Sequence, residues 1–392
     1  MIQSLHAKPS SLATDEIGLA PTLTADRACE VKSSIDLAEC LPRLGRAFFD
    51  ELLQLQLLPL ASAECFLEQC RGQLATYDSA ASLGKALIEH GVLTQYQLDR
   101  VMSGTSHGLV LGNHRVLDRL KAGGMGVVFR AEHLFMKRQV AVKVLPVDDD
   151  CPTMLLSRFF SEMTVLAELR HPNIVMAYDA GRVPSQGPGQ PSLLYLAMEF
   201  VDGCDLESYV LENGRVSIEQ ACEWISQAAY GLQEAHDHRL IHRDIKPSNL
   251  LLSAEGQVKI ADFGLVQQFN NRLTERGAIL GTIEFMAPEQ SQDASSVGTA
   301  ADIYGLGACL FWLLTGQAPY PVVRSMSQAL HNLQRTPARL LRILRPDAPP
   351  ELENLVQAML DRSPSRRPAE ALTVRRALAT FAPSEVWPLA NE

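Results

Sequence analysis

The sequence predicts an α+β protein in which a small helical module precedes a strand-rich region and then a helix-rich one. Three observations carry this. Leu41, Leu44, Phe48, Leu52 and Leu55 fall at helical spacing near the N-terminus. Arg115–Leu120 and Val127–Glu132 flank a glycine run as the two strands of a hairpin, and Val140–Lys143 alternates like a strand after them. Helical spacing returns in the second half, at Ala221, Trp224, Ile225, Ala228 and Leu232.

In chain order, residues 1–35 are rich in Ser, Thr, Ala and Pro without periodicity, and are expected to be disordered. Residues 36–107 form the helical module. After the first apolar stripe come Phe66, Cys70 and Leu74, then Leu83, Leu87 and Ile88, with Gly91 able to end that helix. Thr94 and Gln97 make a capping box for a fourth helix. These stripes need burial, so a self-packed bundle is expected, with a second role as a docking or homodimerisation module. Leu155, Phe159, Met163 and Leu166 predict a helix after the strands. Pro184 to Pro191 reads as a loop between strands. Ser217 and Gln220 make another capping box, and Ala308 to Leu314 reads as a core helix with Phe311 and Trp312 packing.

Composition limits the function classes. The chain has 392 residues and is 46% hydrophobic, enough for a two-lobed domain plus an extra module. A net charge of −10 argues against nucleic acid as a main partner. The cysteines at 29, 40, 65, 70, 151, 204, 222 and 309 form no C-x-x-C pair, which argues against a cysteine metal site and suits a reducing compartment. No basic patch precedes an apolar run at the N-terminus, and Ala308 to Leu314 is too short for a transmembrane segment. A cytoplasmic location is expected.

The chemistry is concentrated in Ile241-His242-Arg243-Asp244-Ile245-Lys246-Pro247-Ser248-Asn249. Asp244 alone would be a solvated loop carboxylate. With Lys246 and Asn249 it can converge on one phosphoryl group: Asp244 takes the proton of an attacking hydroxyl, Lys246 neutralises charge on the phosphate, and Asn249 holds a magnesium ion. This ordered set resembles the catalytic loop of the protein kinase family. The other motifs follow in family order. Leu120-Lys121-Ala122-Gly123-Gly124-Met125-Gly126 resembles the phosphate-binding loop, with Lys121 where the family carries glycine. Lys143 matches the strand lysine and Glu162 the helix glutamate with which it pairs to grip the phosphates. Taken alone, Glu162 would be an exposed helix residue. Asp262-Phe263-Gly264 matches the magnesium-binding motif, Met286-Ala287-Pro288-Glu289 closes the activation segment, and Asp302 and Arg367 match two buried polar positions, the second paired with Glu289.

The resemblance implies a bilobal protein kinase fold over 108–383, a short tail over 384–392, and ATP and Mg2+ as cofactors. Val128, Ala141 and Leu251 would sandwich the adenine, Glu199 and Val201 would bind its edge through their backbones, Met198 would set access to the back pocket, and Asp205 would contact the ribose. Asp262 and Asn249 would hold magnesium. Arg243 before the catalytic Asp implies a switch by phosphorylation, with Thr274 as the phosphosite and Thr282 as a structural and catalytic contact.

Lys246 and Thr282 resemble the serine/threonine pattern, so proteins bearing Ser or Thr acceptors are the implied substrates. Gly123-Gly124-Met125-Gly126 and Met286 to Gln290 resemble the eukaryote-like serine/threonine kinases of bacteria. Two rival readings are a nucleotide-binding pseudokinase scaffold and a small-molecule kinase. The first normally lacks Lys143, Asp244 or Asp262, all present here, and the second would lack the platform of Gly281, Thr282 and Ala-Pro-Glu.

Overall fold

The computed structural model describes residues 37–123, 126–148, 151–187, 189–263, 283–292, 297–321, 323 and 325–382. Segment 1–35, the tail 384–392, and the expected site residues Gly124, Thr274 and Thr282 lie outside the described residues. The chain divides into two compact units, Met1–Leu93 and Thr94–Glu392.

In the first unit, α1 (Arg43–Gln54), α2 (Leu60–Gln69) and α3 (Ala80–Glu89) bury Phe48, Phe49 and Leu52, then Phe66 and Leu67, then Leu83 and Leu87. The start of α3 is fixed by Ser79 and Ser82, whose hydroxyls accept each other's backbone N–H at 3.2 and 3.1 Å. Gly91 follows α3 at φ +69°, in the left-handed conformation that ends helices, as expected. The buried face of α1 differs from the expected stripe, because Leu44 is 65% exposed and Gly45 is buried in its place. A Cβ at Gly45 would lie 2.1 Å from the Tyr77 carbonyl oxygen, so only glycine lets the helix approach that backbone.

The second unit opens with α4 (Gln95–Met102), whose capping box of Thr94 and Gln97 forms as the sequence predicts. Both residues also reach the strand His114–Gly123. Gln97 Nε2 donates to Val116 O at 2.6 Å and Thr94 Oγ1 to Leu117 O at 2.5 Å. Gln97 is fully buried, and a buried amide requires such a partner. The division between the units therefore falls earlier than the expected boundary at 107.

The small lobe is a six-stranded antiparallel sheet in the order β1-β2-β3-β4-β6-β5. Its strands are β1 (Val110–Leu111), β2 (His114–Gly123), β3 (Gly126–His133), β4 (Gln139–Val147), β5 (Ala177–Val183) and β6 (Ser192–Glu199). The central strands β4 and β6 bury nearly every side chain, Lys143 included. Helix α5 (Thr153–Glu168) lies between β4 and β5 in sequence and buries Phe159, Met163 and Leu166, three of the four residues of its expected stripe.

The rest of this unit is mostly helical. A second sheet, β7-β8-β9 (Gly203–Asp205, Leu250–Ser253 and Val258–Ile260), supports the loops of the cleft. Asp205 caps α6 (Leu206–Asn213). Helix α7 (Ile218–Asp237) buries the predicted Ala221, Trp224, Ile225, Ala228 and Leu232, and Ser217 Oγ accepts from Gln220 N–H at its start. Helix α8 (Thr299–Thr315) is buried on all sides over Ala301 to Leu314, as a helix at the centre of a lobe must be. Helices α9 (Met326–Arg335), α10 (Leu341–Leu344), α11 (Pro350–Met359) and α12 (Ala371–Leu378) complete the lobe. Asn173 ties the chain entering β5 to this lobe, because its Nδ2 donates to Val258 O at 2.8 Å.

Beside Asn173, His171 Nδ1 accepts from the Asn173 N–H at 3.1 Å and its ring meets Tyr230 edge-on at 4.2 Å. Burial, helped by the nearby Arg375 and Lys259, pushes its pKa down from 6.5 to about 4. A base held neutral in the fold adds stability above its unfolded pKa and loses it as pH falls towards the folded value. The urea midpoint is therefore expected to decline as pH drops from 6.5 to about 4. His171→Gln, which keeps an acceptor but does not titrate, should flatten that slope; an equal slope in the variant would exclude His171 as its source.

Candidate active site

The expected catalytic loop, residues 241–249, hangs from one carboxylate. Asp302 lies in the first turn of α8 and is 1% exposed. Its Oδ2 accepts from His242 N–H at 2.8 Å and lies 2.9 Å from His236 Nε2, while its Oδ1 accepts from Arg243 N–H at 2.7 Å. A carboxylate only accepts, so His236 carries its proton on Nε2. The His242 ring continues the network. Its Nδ1 accepts from Asp244 N–H at 3.2 Å, so its Nε2 donates to Ala261 O at 2.9 Å. The loop is thus tied to the strand that delivers Asp262.

On this frame the predicted catalytic residues converge. Lys246 Nζ donates to Asp244 Oδ2 at 2.8 Å. Asn249 Nδ2 donates to Asp244 O at 2.7 Å and to Asp244 Oδ2 at 3.1 Å, which turns its own oxygen away from Asp244. Asp244 and Asn249 are buried. Two non-glycine residues here adopt left-handed backbones, Arg243 at φ 64° and Asp262 at φ 59°. Such conformations persist where surrounding bonds over-determine them. Arg243 is held by Asp302 and by Gln290, whose Nε2 donates to the Arg243 carbonyl at 2.8 Å.

Across the cleft, Lys143 on β4 is paired with Asp262 Oδ1 at 3.1 Å. Phe263 is buried and its ring lies 4.7 Å from that of His242. A cavity of ≈ 20 Å³, about the space of one water, is lined by Lys143, Phe159, Leu166, Met198, Asp262 and Phe263. Glu162 sits half-buried on α5, and here the cation of Lys143 is engaged by Asp262.

The remaining predicted positions line the neighbouring strands. Ala141 pairs with Met198 between β4 and β6, Val128 pairs with Lys143 between β3 and β4, and Leu251 pairs with Asp205 between β8 and β7. Leu120, half exposed, precedes the tip of the β2–β3 hairpin, where Gly123 faces Gly126. Gly126 has φ +115°, and a Cβ there would lie 2.4 Å from Val144 O, so the tip requires glycine. Glu199 ends β6, and Val201 lies on the connection that follows it towards the large lobe. The Glu199 carboxylate is held by Lys259 at 3.0 Å and its N–H donates to Met176 O at 2.8 Å. Asp205 Oδ1 accepts from Ser208 N–H at 2.8 Å, and its Oδ2 accepts from Lys121 at 3.1 Å.

A protein kinase domain profile matches residues 115–379. The chain belongs to the protein kinase family. Curated kinases similar to it include the probable serine/threonine-protein kinase PknB of Lactococcus lactis, 36% identical over 62% of this chain and 38% of that protein. PknA of Mycobacterium tuberculosis is 34% identical over 65% of this chain and 58% of its own, and PrkC of Bacillus subtilis is 32% identical over 66% and 39%. The chain thus spans between about two fifths and three fifths of the length of these relatives. Among solved structures, the Mycobacterium tuberculosis PknI kinase domain (a C20A mutant) matches with a TM-score of 0.54 at 25% identity, over 70% of this chain and 97% of that one. No helix among the described residues is long and apolar enough to cross a membrane.

The kinase site contains partners that the motifs did not name. His236 has no motif signal beyond its place in the last turn of α7. Gln290 follows Met286 to Glu289 in sequence, but its bond to the Arg243 carbonyl is a tertiary contact. Arg367 grips Glu289 with two bonds of 2.6 and 2.8 Å, the pairing that the family resemblance implied. Asp302→Ala should be costly, because each orphaned backbone N–H costs about 1–3 kcal/mol. Urea unfolding is expected to show that loss, and phosphoryl transfer should fall further than the folded fraction does. A stable variant with full turnover would show that the loop keeps its shape without Asp302.

Proposed function

We propose that this chain is a protein serine/threonine kinase, which transfers the γ-phosphoryl group of ATP to Ser or Thr hydroxyls of proteins. The observation that carries the reading is the Asp244 carboxylate held by Lys246 and Asn249 on a loop fixed by Asp302. Asp244 accepts the proton of the attacking hydroxyl, and Lys246 stands beside it to neutralise charge that develops on the phosphate. The donor set suits magnesium: a carboxylate from Asp262 and an amide oxygen from Asn249 are hard ligands, and protein kinases leave the remaining positions to phosphate and water. Magnesium-bound ATP supplies the phosphoryl group and screens its charge.

Lys143 grips the phosphates and forms its pair with Glu162 in the active arrangement, exchanging its present partner Asp262. Val128, Ala141 and Leu251 enclose the adenine, with Met198 behind it. Glu199 contributes backbone only, since Lys259 occupies its carboxylate. Lys143, Asp244 and Asp262 are retained in ordered contacts, which favours catalysis over a pseudokinase scaffold. A phosphate on Thr274 would pair with Arg243 and order the activation segment through charge-assisted bonds.

Radiolabelled ATP with a generic basic protein, with and without magnesium, tests the reading. Asp244→Asn should lower transfer by about 10²-fold or more while nucleotide affinity is nearly kept, because that carboxylate acts on the acceptor. Wild-type phosphorylation by that variant would sink the assignment.

The first unit is proposed to be a docking or dimerisation module. A deletion that tests this should end at Leu93 and not at 107, since α4 supplies Gln97 to the sheet. Removing 1–93 is expected to leave a soluble domain that phosphorylates a generic substrate, with altered self-association, substrate choice or basal rate. Identical values of all three would leave the module without this role.

A further inference from the structure

The cleft holds a cation to which the proposed transfer assigns no part. Lys121 stands on β2 ahead of the hairpin tip. Its Nζ lies 3.1 Å from Asp205 Oδ2 and 3.5 Å from the Ser248 carbonyl oxygen. Asp205 ends β7 and caps α6, and Ser248 lies in the turn Pro247–Asn249 of the catalytic loop. One side chain therefore links the small-lobe sheet to two elements of the large lobe.

Each oxygen of the Asp205 carboxylate already accepts a donor. Oδ1 accepts the Ser208 N–H at 2.8 Å and so satisfies a donor at the start of α6, which makes Oδ2 the oxygen that a ligand can take over without uncapping that helix. That oxygen is the one held by Lys121. The Asp205 side chain is 15% exposed and that of Lys121 53%, so the pair forms at the cleft mouth with the ammonium still in water. Such a pair is weak enough for a ligand to displace, and is screened by salt. A hydroxyl that must share or replace an ammonium on a carboxylate gains less than one that meets the carboxylate alone.

Resting on the ATP-dependent reading above, we propose that Lys121 is a specificity-determining residue. Its ammonium occupies the place on Asp205 that the sugar hydroxyls of a nucleotide require, so sugar recognition in this chain competes with an internal cation. Two consequences follow. The wild-type chain discriminates little between ribose and deoxyribose nucleotides, and removal of the cation restores both affinity and discrimination.

The test is equilibrium titration of the full chain with ATP, 2′-deoxyATP and 3′-deoxyATP in the presence of magnesium, with transfer measured in parallel. Lys121→Gln should tighten ATP by about two- to fivefold, the range of an exposed ion pair, with a smaller gain for at least one deoxy analogue. Lys121→Arg should behave as wild type, and high salt should narrow the gap between wild type and Lys121→Gln. Weaker ATP binding by Lys121→Gln would place the ammonium on phosphate and overturn the proposal. Normal transfer with unchanged sugar discrimination in Lys121→Gln overturns this assignment alone. A wild-type chain that binds no nucleotide overturns the underlying kinase reading, and this assignment with it.

Discussion

A single buried carboxylate, that of Asp302, sets the geometry on which the site depends. A carboxylate taken out of water costs several kcal/mol unless its oxygens are satisfied. Here two backbone N–H groups and the His236 ring satisfy them. The same bonds fix the backbone at His242 and Arg243, so the Arg243 left-handed conformation is tolerated. His242 passes the constraint onward. One ring nitrogen receives the Asp244 N–H and the other donates to Ala261, immediately before Asp262. Asp244 and Asp262, the proposed base and the proposed magnesium ligand, are therefore positioned by one network anchored in the first turn of α8.

The cleft is organised as cation–carboxylate pairs, although the chain as a whole is acidic. Lys143 meets Asp262, Lys246 meets Asp244, and Lys121 meets Asp205. The first two pairs are largely buried and the third lies at the mouth. Pairing keeps each charge compensated without a ligand, since an isolated buried charge would be costly. The proposed substrate, a nucleotide with its metal, would bring both signs of charge and exchange partners with such pairs. The different exposure of the three implies different ease of exchange, with Lys121 released most readily.

Much of this was legible in the sequence, and the reason is local. Asp244, Lys246 and Asn249 lie within a few residues of one another, so a short loop brings them together with little help from the rest of the chain. The hairpin around Gly123 and Gly126, the capping box at Thr94 and Gln97, and the helix end at Gly91 are likewise set by neighbours in sequence. Less legible was which face of a helix is buried. Leu44 fits the apolar period as well as Phe48 does, but Gly45 alone permits the approach to Tyr77, and that decided the face.

Element types, the order of the family motifs and the candidate site residues were readable along the chain, because periodicity, capping and turn formation act over a turn or two of chain. The tertiary structure decided the partners. Lys121 and Asp205 are 84 residues apart in sequence, and His236 and Asp302 are 66 apart. Gln97 reads as a helix cap, yet it also satisfies a strand carbonyl, which assigns α4 to the second unit. The family resemblance paired Lys143 with Glu162, and packing of the lobes joined it here to Asp262. Such choices turn on which distant atoms approach within hydrogen-bonding distance, and only the packed chain fixes those separations.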